Sequence, residues 1–147
     1  MSGHRQFCTF LLDGLYFGVE VHKVQEVIRY QEMTRVPLAS RVIQGLINLR
    51  GQIVTAIDLR RRLELRERPQ ELQPMNVVVR TDDGPTSLLV DSIGDVVEVP
   101  EEAFERPPET LRGVARELIR GAYKLRDRLL LVLDVNRTVQ CTPARGE

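Results

Sequence analysis

The chain repeats itself, and this repeat constrains the fold more than any single motif does. Residues 43–63, IQGLINLRGQIVTAIDLRRRL, align without a gap on residues 119–139, IRGAYKLRDRLLLVLDVNRTV, at an offset of 76. Upstream, a second match places 21–27 on 90–96 at an offset of 69. The chain is therefore two copies of one plan, spanning about 7–63 and 76–139. The identical positions of the first match are Ile43/Ile119, Gly45/Gly121, Leu49/Leu125, Arg50/Arg126, Asp58/Asp134 and Arg61/Arg137.

Short runs of apolar and β-branched residues, separated by turn residues, fill both copies. Asp13-Gly14 separates two such runs and Asp82-Asp83-Gly84 separates two more, which is a strong signal for β-hairpins. Each copy is predicted to form a hairpin, a short bend or helix, a connector, a second hairpin and a short helix. The predicted strands are 7–12, 16–21, 45–49, 52–57, 77–81, 87–90, 121–125 and 129–133.

Half of a 147-residue chain makes a sheet too small to cover both of its faces, whereas a five-stranded barrel closes most of its edges. The sequence therefore predicts a mainly all-β fold of two pseudo-symmetric five-stranded barrels packed together, with a few short helices. We expect one domain over 6–139, built of two interleaved subdomains, and a short frayed tail at 140–147. A groove along the seam would be a natural binding site.

Composition argues against several classes of function. Lysine plus arginine equals aspartate plus glutamate, 21 each, so no net charge would attract a polyanion. Arg60-Arg61-Arg62, with Arg66 and Arg68, alternates with glutamates and is predicted to be a solvated helix face; a basic patch for RNA or single strands is the alternative. The longest apolar run has five residues, and no signal peptide precedes it, so we expect a cytoplasmic protein without membrane insertion.

The sequence does not indicate an enzyme, a cofactor or a metal site. It contains no P-loop, dinucleotide fingerprint, nucleophile elbow or zinc-protease helix. Its two cysteines, Cys8 and Cys141, and its two histidines, His4 and His22, lack the spacing of metal ligands. Asp58 and Asp134 each precede a short helix-like segment, so both are predicted to be helix N-caps rather than catalytic groups.

Arg50 is the most distinctive candidate for recognition. It lies in Asn48-Leu49-Arg50-Gly51, where Gly51 indicates a turn with positive φ at the tip of a hairpin. An arginine on such a rigid support suits carboxylate recognition and interface anchoring. A solvent-exposed arginine without a partner is the alternative.

The segments VEVHKVQEVIRYQEMTRVP (19–37), VIQGLINLRGQIVTAIDLRRRL (42–63) and SLLVDSIGDVVEVP (87–100) resemble the CheW family of bacterial chemotaxis coupling proteins. The resemblance extends from about residue 6 to 139. It implies two five-stranded barrels of SH3-like type. It also implies an adaptor that binds the cytoplasmic hairpin tip of chemoreceptors and the regulatory domain of a CheA-type histidine kinase, and it suggests ring contacts with CheW or CheA.

Carried over by position, the resemblance places the family's receptor contacts on this chain. Val24 and Val27 would supply apolar contact, and Glu26 and Arg50 would set the register at the rim. Gly45 and Gly51 would act indirectly by shaping the hairpin that presents Arg50. The sequence departs from the family at Thr55, where proline is frequent, and at Ser87, where glycine is frequent; we expect local changes in strand geometry there.

Two alternatives to chemotaxis coupling remain open at this stage. The first is a CheW-like adaptor of a pilus or gliding-motility pathway, which would share the fold and the type of partner. The second, more remote alternative is a barrel protein that binds RNA or single strands through the arginines at 60–68. The neutral net charge and the scarcity of aromatic residues argue against it.

Overall fold

Ten strands and three short helices form residues 3–140, the part of the chain described by a computed structural model. The prediction of a mainly β fold is confirmed. None of the described helices has the length and apolar character of a membrane span. Of the predicted tail, 141–147 lie outside the described residues. The strands are β1 (His4–Leu12), β2 (Leu15–Glu20), β3 (Val24–Ile28), β4 (Ile43–Leu49), β5 (Gln52–Asp58), β6 (Met75–Thr81), β7 (Gly84–Val90), β8 (Ser92–Pro100), β9 (Ile119–Lys124) and β10 (Leu129–Leu133). The helices are α1 (Leu59–Arg62), α2 (Gly113–Leu118) and α3 (Val135–Val139), and 3-10 turns span Val21–Lys23 and Glu101–Ala103.

Both hairpins predicted from aspartate-rich turns are present. Strands β1 and β2 pair antiparallel around Asp13 and Gly14, whose φ angles are 49° and 81°. Two positive φ angles are what a type I′ turn requires, and this turn matches the twist of the strands. Strands β6 and β7 also pair antiparallel, around Asp82 and Asp83, and here the positive φ, 105°, is that of Gly84. Local turn chemistry therefore determines both hairpins.

The two five-stranded sheets each combine strands from both copies of the repeat. Sheet A has the order β8-β1-β2-β10-β9, and sheet B has the order β3-β6-β7-β5-β4. One parallel pair joins the copies in each sheet: β2 with β10, and β5 with β7. The chain passes between the sheets twice, from β2 to β3 and from β7 to β8. Neither copy can therefore complete a sheet alone.

The two segments predicted as short bends or helices are edge strands instead. In the first copy, only Val21–Lys23 forms a 3-10 turn, and β3 begins directly after it. In the second copy, β8 follows β7 after a single residue, Asp91. This part of the prediction is wrong, and each sheet gains its fifth strand from the segment concerned.

A β-bulge explains why β3 carries the apolar spacing of a helix. The register of β3 against β6 shifts by one residue at Gln25. Because of this bulge, Val24 and Val27 fall on one face of the strand although they are three positions apart, and Glu26 falls on the other. The pairing of β1 with β8 is irregular in the corresponding place, beside Ile93.

Three apolar clusters pack against the two sheets. The largest lies between them and includes Phe10 and Phe17 of sheet A and Val77 and Leu88 of sheet B. Because this shared cluster is buried by both sheets together, separating the sheets would expose it to water. The clusters on the other faces contain Phe7, Tyr16, Val99, Tyr123, Leu130 and Val132 in sheet A, and Ile47, Leu49, Val54 and Val78 in sheet B.

The loop after each edge strand reaches back to the opposite edge of its own sheet. After β3, the chain runs to Thr34, which pairs with Leu46 of β4 through two backbone hydrogen bonds of 2.8 Å. After β8, Glu105 pairs with Ala122 of β9 through bonds of 2.8 and 2.9 Å. A backbone bridge therefore links the two edge strands of each sheet.

Gly45 and Gly121, identical in the repeat, lie against these bridges. A Cβ on Gly45 would come within 2.8 Å of the Thr34 carbonyl oxygen, and one on Gly121 within 2.5 Å of the Glu105 carbonyl oxygen. Side chains do not tolerate such contacts with backbone, so glycine is needed at both positions. The structure thus gives Gly45 a role in admitting the bridge, and its predicted role in shaping the hairpin at Arg50 stays a prediction.

Candidate functional site

Arg50 occupies the tip of the β4–β5 hairpin in a left-handed backbone conformation. Its φ is 52° and that of Gly51 is 89°, which makes the pair the two central residues of a type I′ turn. The Asn48 side-chain oxygen accepts a hydrogen bond of 2.9 Å from the Gly51 N–H and braces the turn. The Arg50 side chain is 69% exposed, so a well-defined turn presents a charged head group to solvent.

Glu26 of β3 forms an ion pair with Arg50 of the neighbouring hairpin. The Glu26 side chain is half-buried, with 22% of it exposed. The hydrogen bond from Arg50 holds the pKa of the Glu26 carboxyl below its ordinary value. Glu26 is therefore charged at neutral pH, and it orients the Arg50 guanidinium while most of the Arg50 side chain stays exposed.

The two valines predicted as contacts lie on the other face of β3. Val24 is half-buried and packs against the cluster between the sheets, whereas Val27 is 39% exposed. On the opposite face, which also carries Glu26, Ile28 packs against the cluster of sheet B. Among the described residues, no strand pairs with the outer edge of β3. The predicted contacts therefore border one free edge, although they do not share one face.

Ile53 is an exposed apolar residue in the same hairpin that the sequence reasoning missed. It lies opposite Asn48, three residues after Arg50, and is 60% exposed. Its neighbour Val54 is buried. The signal in the sequence was the pair of adjacent apolar residues, because neighbouring side chains of a strand point to opposite faces. We name Val27, Glu26, Arg50 and Ile53 the β3–hairpin surface.

Asp58 and Asp134 lie at the N-termini of α1 and α3. The Asp58 carboxylate accepts hydrogen bonds from the backbone N–H groups of Arg60 at 3.1 Å and Arg61 at 3.4 Å. The Asp134 carboxylate accepts one from the Arg137 N–H at 3.1 Å. This is the geometry of helix N-caps. Asp58 ends β5, the strand that carries Ile53, but its carboxylate is bonded to α1, and that of Asp134 is bonded to α3.

The arginines at 60–68 do not form the predicted solvated helix face. The Arg60 side chain is only 8% exposed and binds Asp91 as well as the backbone carbonyls of Arg66 and Glu67. Arg66 binds Asp13 at 2.7 Å, and this hydrogen bond lowers the pKa of the Asp13 carboxyl. Because carboxylates neutralise these cations, the cluster offers little to a nucleic-acid backbone. Arg62 donates to the Thr138 carbonyl, and Arg68 lies 3.4 Å from Asp58.

Ser87, one of the two departures from the family pattern, is buried and fully bonded. Its hydroxyl donates to the Asn76 side-chain oxygen at 2.7 Å, and the Asn76 amide donates to the Arg29 carbonyl at 3.0 Å. The added hydroxyl therefore joins a hydrogen-bonded relay from β7 through β6 to the end of β3. Thr55, the other departure, lies within β5 between Leu46 and Thr86.

Comparison with known proteins agrees with this architecture. A family model described as the CheW-like domain matches residues 6–141. Chemotaxis protein CheW of Treponema pallidum is 29% identical over 90% of this chain and 80% of that protein, and CheW of Bacillus subtilis is 32% identical over 87% and 82%. The crystal structure of the scaffolding protein TtCheW from Thermoanaerobacter tengcongensis matches with a TM-score of 0.83, 24% identity and 92% coverage of both chains.

The family model covers nearly the whole described chain, and the fold has the same arrangement as a solved member. The resemblance found in the sequence is thereby confirmed. The chain belongs to the CheW-like family.

Proposed function

We propose that this chain is a non-catalytic adaptor of chemotaxis signalling that couples chemoreceptors to a CheA-type histidine kinase. Family membership supports the general role, since the similar proteins carry the names chemotaxis protein and scaffolding protein. One observation carries the assignment of the receptor site: the Glu26–Arg50 ion pair joins β3 to the tip of the β4–β5 hairpin, and each of these elements also carries an exposed apolar residue, Val27 and Ile53 respectively. Its place of action would be the cytoplasm, beneath receptor arrays.

The β3–hairpin surface suits a helical partner. A receptor tip is a helical hairpin, and its apolar side chains would cover Val27 and Ile53. Arg50 would bind a carboxylate of the receptor from the rim while Glu26 keeps the guanidinium in place. Apolar contact would supply affinity, and the charged rim would set the register of the bound helix.

The kinase would bind elsewhere on the chain, since an adaptor must hold both partners at once. We expect each interface to be modest, at or below the roughly 800 Å² per partner of a standard complex. Weak individual contacts suffice in an array, because a partner held in the same lattice is present at high effective concentration. Ring contacts with further copies or with the kinase would serve the same end.

The experiment compares Arg50→Ala with Arg126→Ala, the arginine at the equivalent position of the repeat. In titration calorimetry against a soluble cytoplasmic fragment of a receptor, Arg50→Ala should bind more weakly than the parent by about 1–3 kcal/mol, as expected for loss of an interface anchor. Arg126→Ala should bind normally, and both variants should keep the unfolding midpoint of the parent. Equal binding by the two variants would contradict the proposed receptor site.

A second measurement tests the pathway. The tagged chain should co-purify with a CheA-type kinase and a chemoreceptor fragment from the source organism. Co-purification with the kinase of a pilus or gliding-motility system would instead assign the same adaptor role to that pathway.

A further inference from the structure

Side chains from β6, its only neighbouring strand among the described residues, brace β3 at both ends. At the start of β3, Arg80 Nη1 donates to the carbonyl oxygens of His22 and Val24, each at 2.9 Å. At the end, the Asn76 amide donates to the Arg29 carbonyl at 3.0 Å. An edge strand of five residues is thus fixed at two points beyond its own ladder of hydrogen bonds.

The two braces differ in their surroundings. Asn76 is 1% exposed and hydrogen-bonded to Ser87, so it belongs to the core. Arg80 lies on the surface, and among the described residues it forms no ion pair; its guanidinium binds the two backbone carbonyls. An exposed side chain that buries little contributes little to global stability. Its hydrogen bonds act instead on the local position of the backbone they join.

The backbone held by Arg80 is the place where the chain enters sheet B. Residues 21–23 form the 3-10 turn that leads from β2 of sheet A to β3, and the bulge at Gln25 follows at once. That bulge puts Glu26 on the face where it meets Arg50. A slip of one residue in the register of an edge strand would carry Glu26 to the other face.

The other crossing between the sheets is also held by an arginine. There the connecting residue is Asp91, and Arg60 donates to its carboxylate at 3.0 and 2.5 Å. The two arginines occupy unrelated positions in the repeat, so the sequence match does not explain their common use. Each crossing of this chain is fixed by a side chain from a neighbouring element.

We propose that Arg80 is a positioning residue for the β3–hairpin surface. It holds the start of β3 so that Glu26 stays within reach of Arg50, and it thereby raises affinity for the helical partner without touching it. This inference rests on the proposed function for the part that concerns affinity. The part that concerns the position of β3 stands on the hydrogen bonds alone.

The test compares Arg80→Met with Arg80→Lys, which retains a donor for one carbonyl. Arg120→Met is the matched control, because Arg120 is an exposed strand arginine without a hydrogen bond or ion pair among the described residues. Hydrogen exchange of residues 24–28 in the free protein should be about tenfold faster in Arg80→Met, with intermediate rates in Arg80→Lys. The urea midpoint and the exchange of core strand β7 should be nearly unchanged.

Affinity for the receptor fragment should fall about 3- to 10-fold in Arg80→Met, because a smaller fraction of molecules holds the binding-competent β3. In an Arg50→Ala background, Arg80→Met should have a smaller effect, since the ion pair is absent and only the contact through Val27 still depends on the position of β3. If Arg80 mattered only for folding, Arg80→Met would weaken binding equally in the parent and in the Arg50→Ala variant.

Three outcomes would overturn the inference. Unchanged exchange at 24–28 would show that Arg80 does not position β3. Faster exchange with unchanged affinity, while Arg50→Ala weakens binding, would show that the position of β3 does not matter to the partner. Normal binding by Arg50→Ala would refute the proposed receptor site itself, and with it the role of Arg80 in affinity, whatever the exchange rates show.

Discussion

Arg60 and Asp91 form an ion pair with two hydrogen bonds at the boundary between the sheets: Nε donates to Oδ1 at 3.0 Å and Nη2 donates to Oδ2 at 2.5 Å. Both side chains are nearly buried, with 8% and 12% exposed. Asp91 also accepts a hydrogen bond of 2.8 Å from the Asp13 N–H at the first hairpin turn. One carboxylate therefore joins helix α1, the β7–β8 crossing and the tip of the β1–β2 hairpin.

Removing one member of this pair should destabilise the protein strongly. We expect Arg60→Met to lower the free energy of unfolding by about 3–5 kcal/mol, because it leaves the Asp91 carboxylate buried without a counter-charge. The double variant Arg60→Met/Asp91→Leu should recover much of the loss. Urea denaturation of the parent and both variants measures this. A loss below about 1 kcal/mol for Arg60→Met would contradict the account.

Stability should fall in acid in a way that depends on Asp13 and Arg66. The hydrogen bond from Arg66 lowers the pKa of Asp13 in the folded protein. The stability from this pair is therefore complete above the unfolded-state pKa of about 3.9, and is lost as the pH falls through the lower folded-state value. Urea midpoints at pH 7, 5, 4 and 3 should drop less steeply below pH 4 in Arg66→Met. Identical profiles for parent and variant would show that the pair is unimportant.

Loss of either helix cap should reduce stability without affecting the proposed partner site. We expect Asp58→Ala and Asp134→Ala each to lower the free energy of unfolding by about 0.5–2 kcal/mol, as loss of a helix N-cap generally does. Asp58 should be the costlier loss, because its carboxylate also lies within 3.4 Å of Arg68. Asp134→Ser, which keeps an acceptor oxygen, is the control. Lost receptor binding at unchanged stability would mean that the aspartate serves recognition.

Gly45→Ala should lower the free energy of unfolding more than Gly51→Ala, although both residues lie in the β4–β5 hairpin. At Gly45 the new Cβ would press on the Thr34 carbonyl, which should cost about 1–3 kcal/mol as overpacking does. At Gly51 the space is open and only the φ of 89° is unfavourable, so about 1 kcal/mol is expected. Exchange of the Thr34 amide, which bonds to Leu46, should speed up only in Gly45→Ala. The opposite order of stabilities would contradict the role assigned to Gly45.

The two sheets should unfold together. Each needs strands from both copies of the repeat, and the largest apolar cluster lies between them. Methyl resonances of Leu130 in sheet A and Val78 in sheet B should therefore disappear at the same urea concentration. Two separated transitions would show that the sheets are independent units.

Local sequence determined the parts of this fold that depend on neighbouring residues. Asp13-Gly14 and Asp82-Asp83 set two hairpins, because their turn conformations need no distant contact. The repeat indicated the double architecture, and the segment around Arg50 carried the family resemblance and pointed to a hairpin tip.

Tertiary structure alone decided the register and partners of the strands. The spacing of Val24 and Val27 indicates a bend or helix locally, and only pairing with β6 converts it into a bulged strand that turns Glu26 toward Arg50. The order of strands in each sheet also has no local signal, since pairing β2 with β10 depends on contacts between residues far apart in the chain.

The arginines at 60–68 show that the sequence also does not reveal which charged residues pair with each other. In the sequence, their alternation with glutamate indicates a solvated face, because the nearest carboxylates along the chain are the visible partners. In the folded protein, Arg60 binds Asp91 and Arg66 binds Asp13, residues that reach them only through the packing of the two sheets. Sequence by itself indicated the two aspartate hairpin turns, the two helix caps and eight of the ten strands. The fold decided which of them meet, because ion pairs, bulges and sheet edges are set by contacts between distant segments.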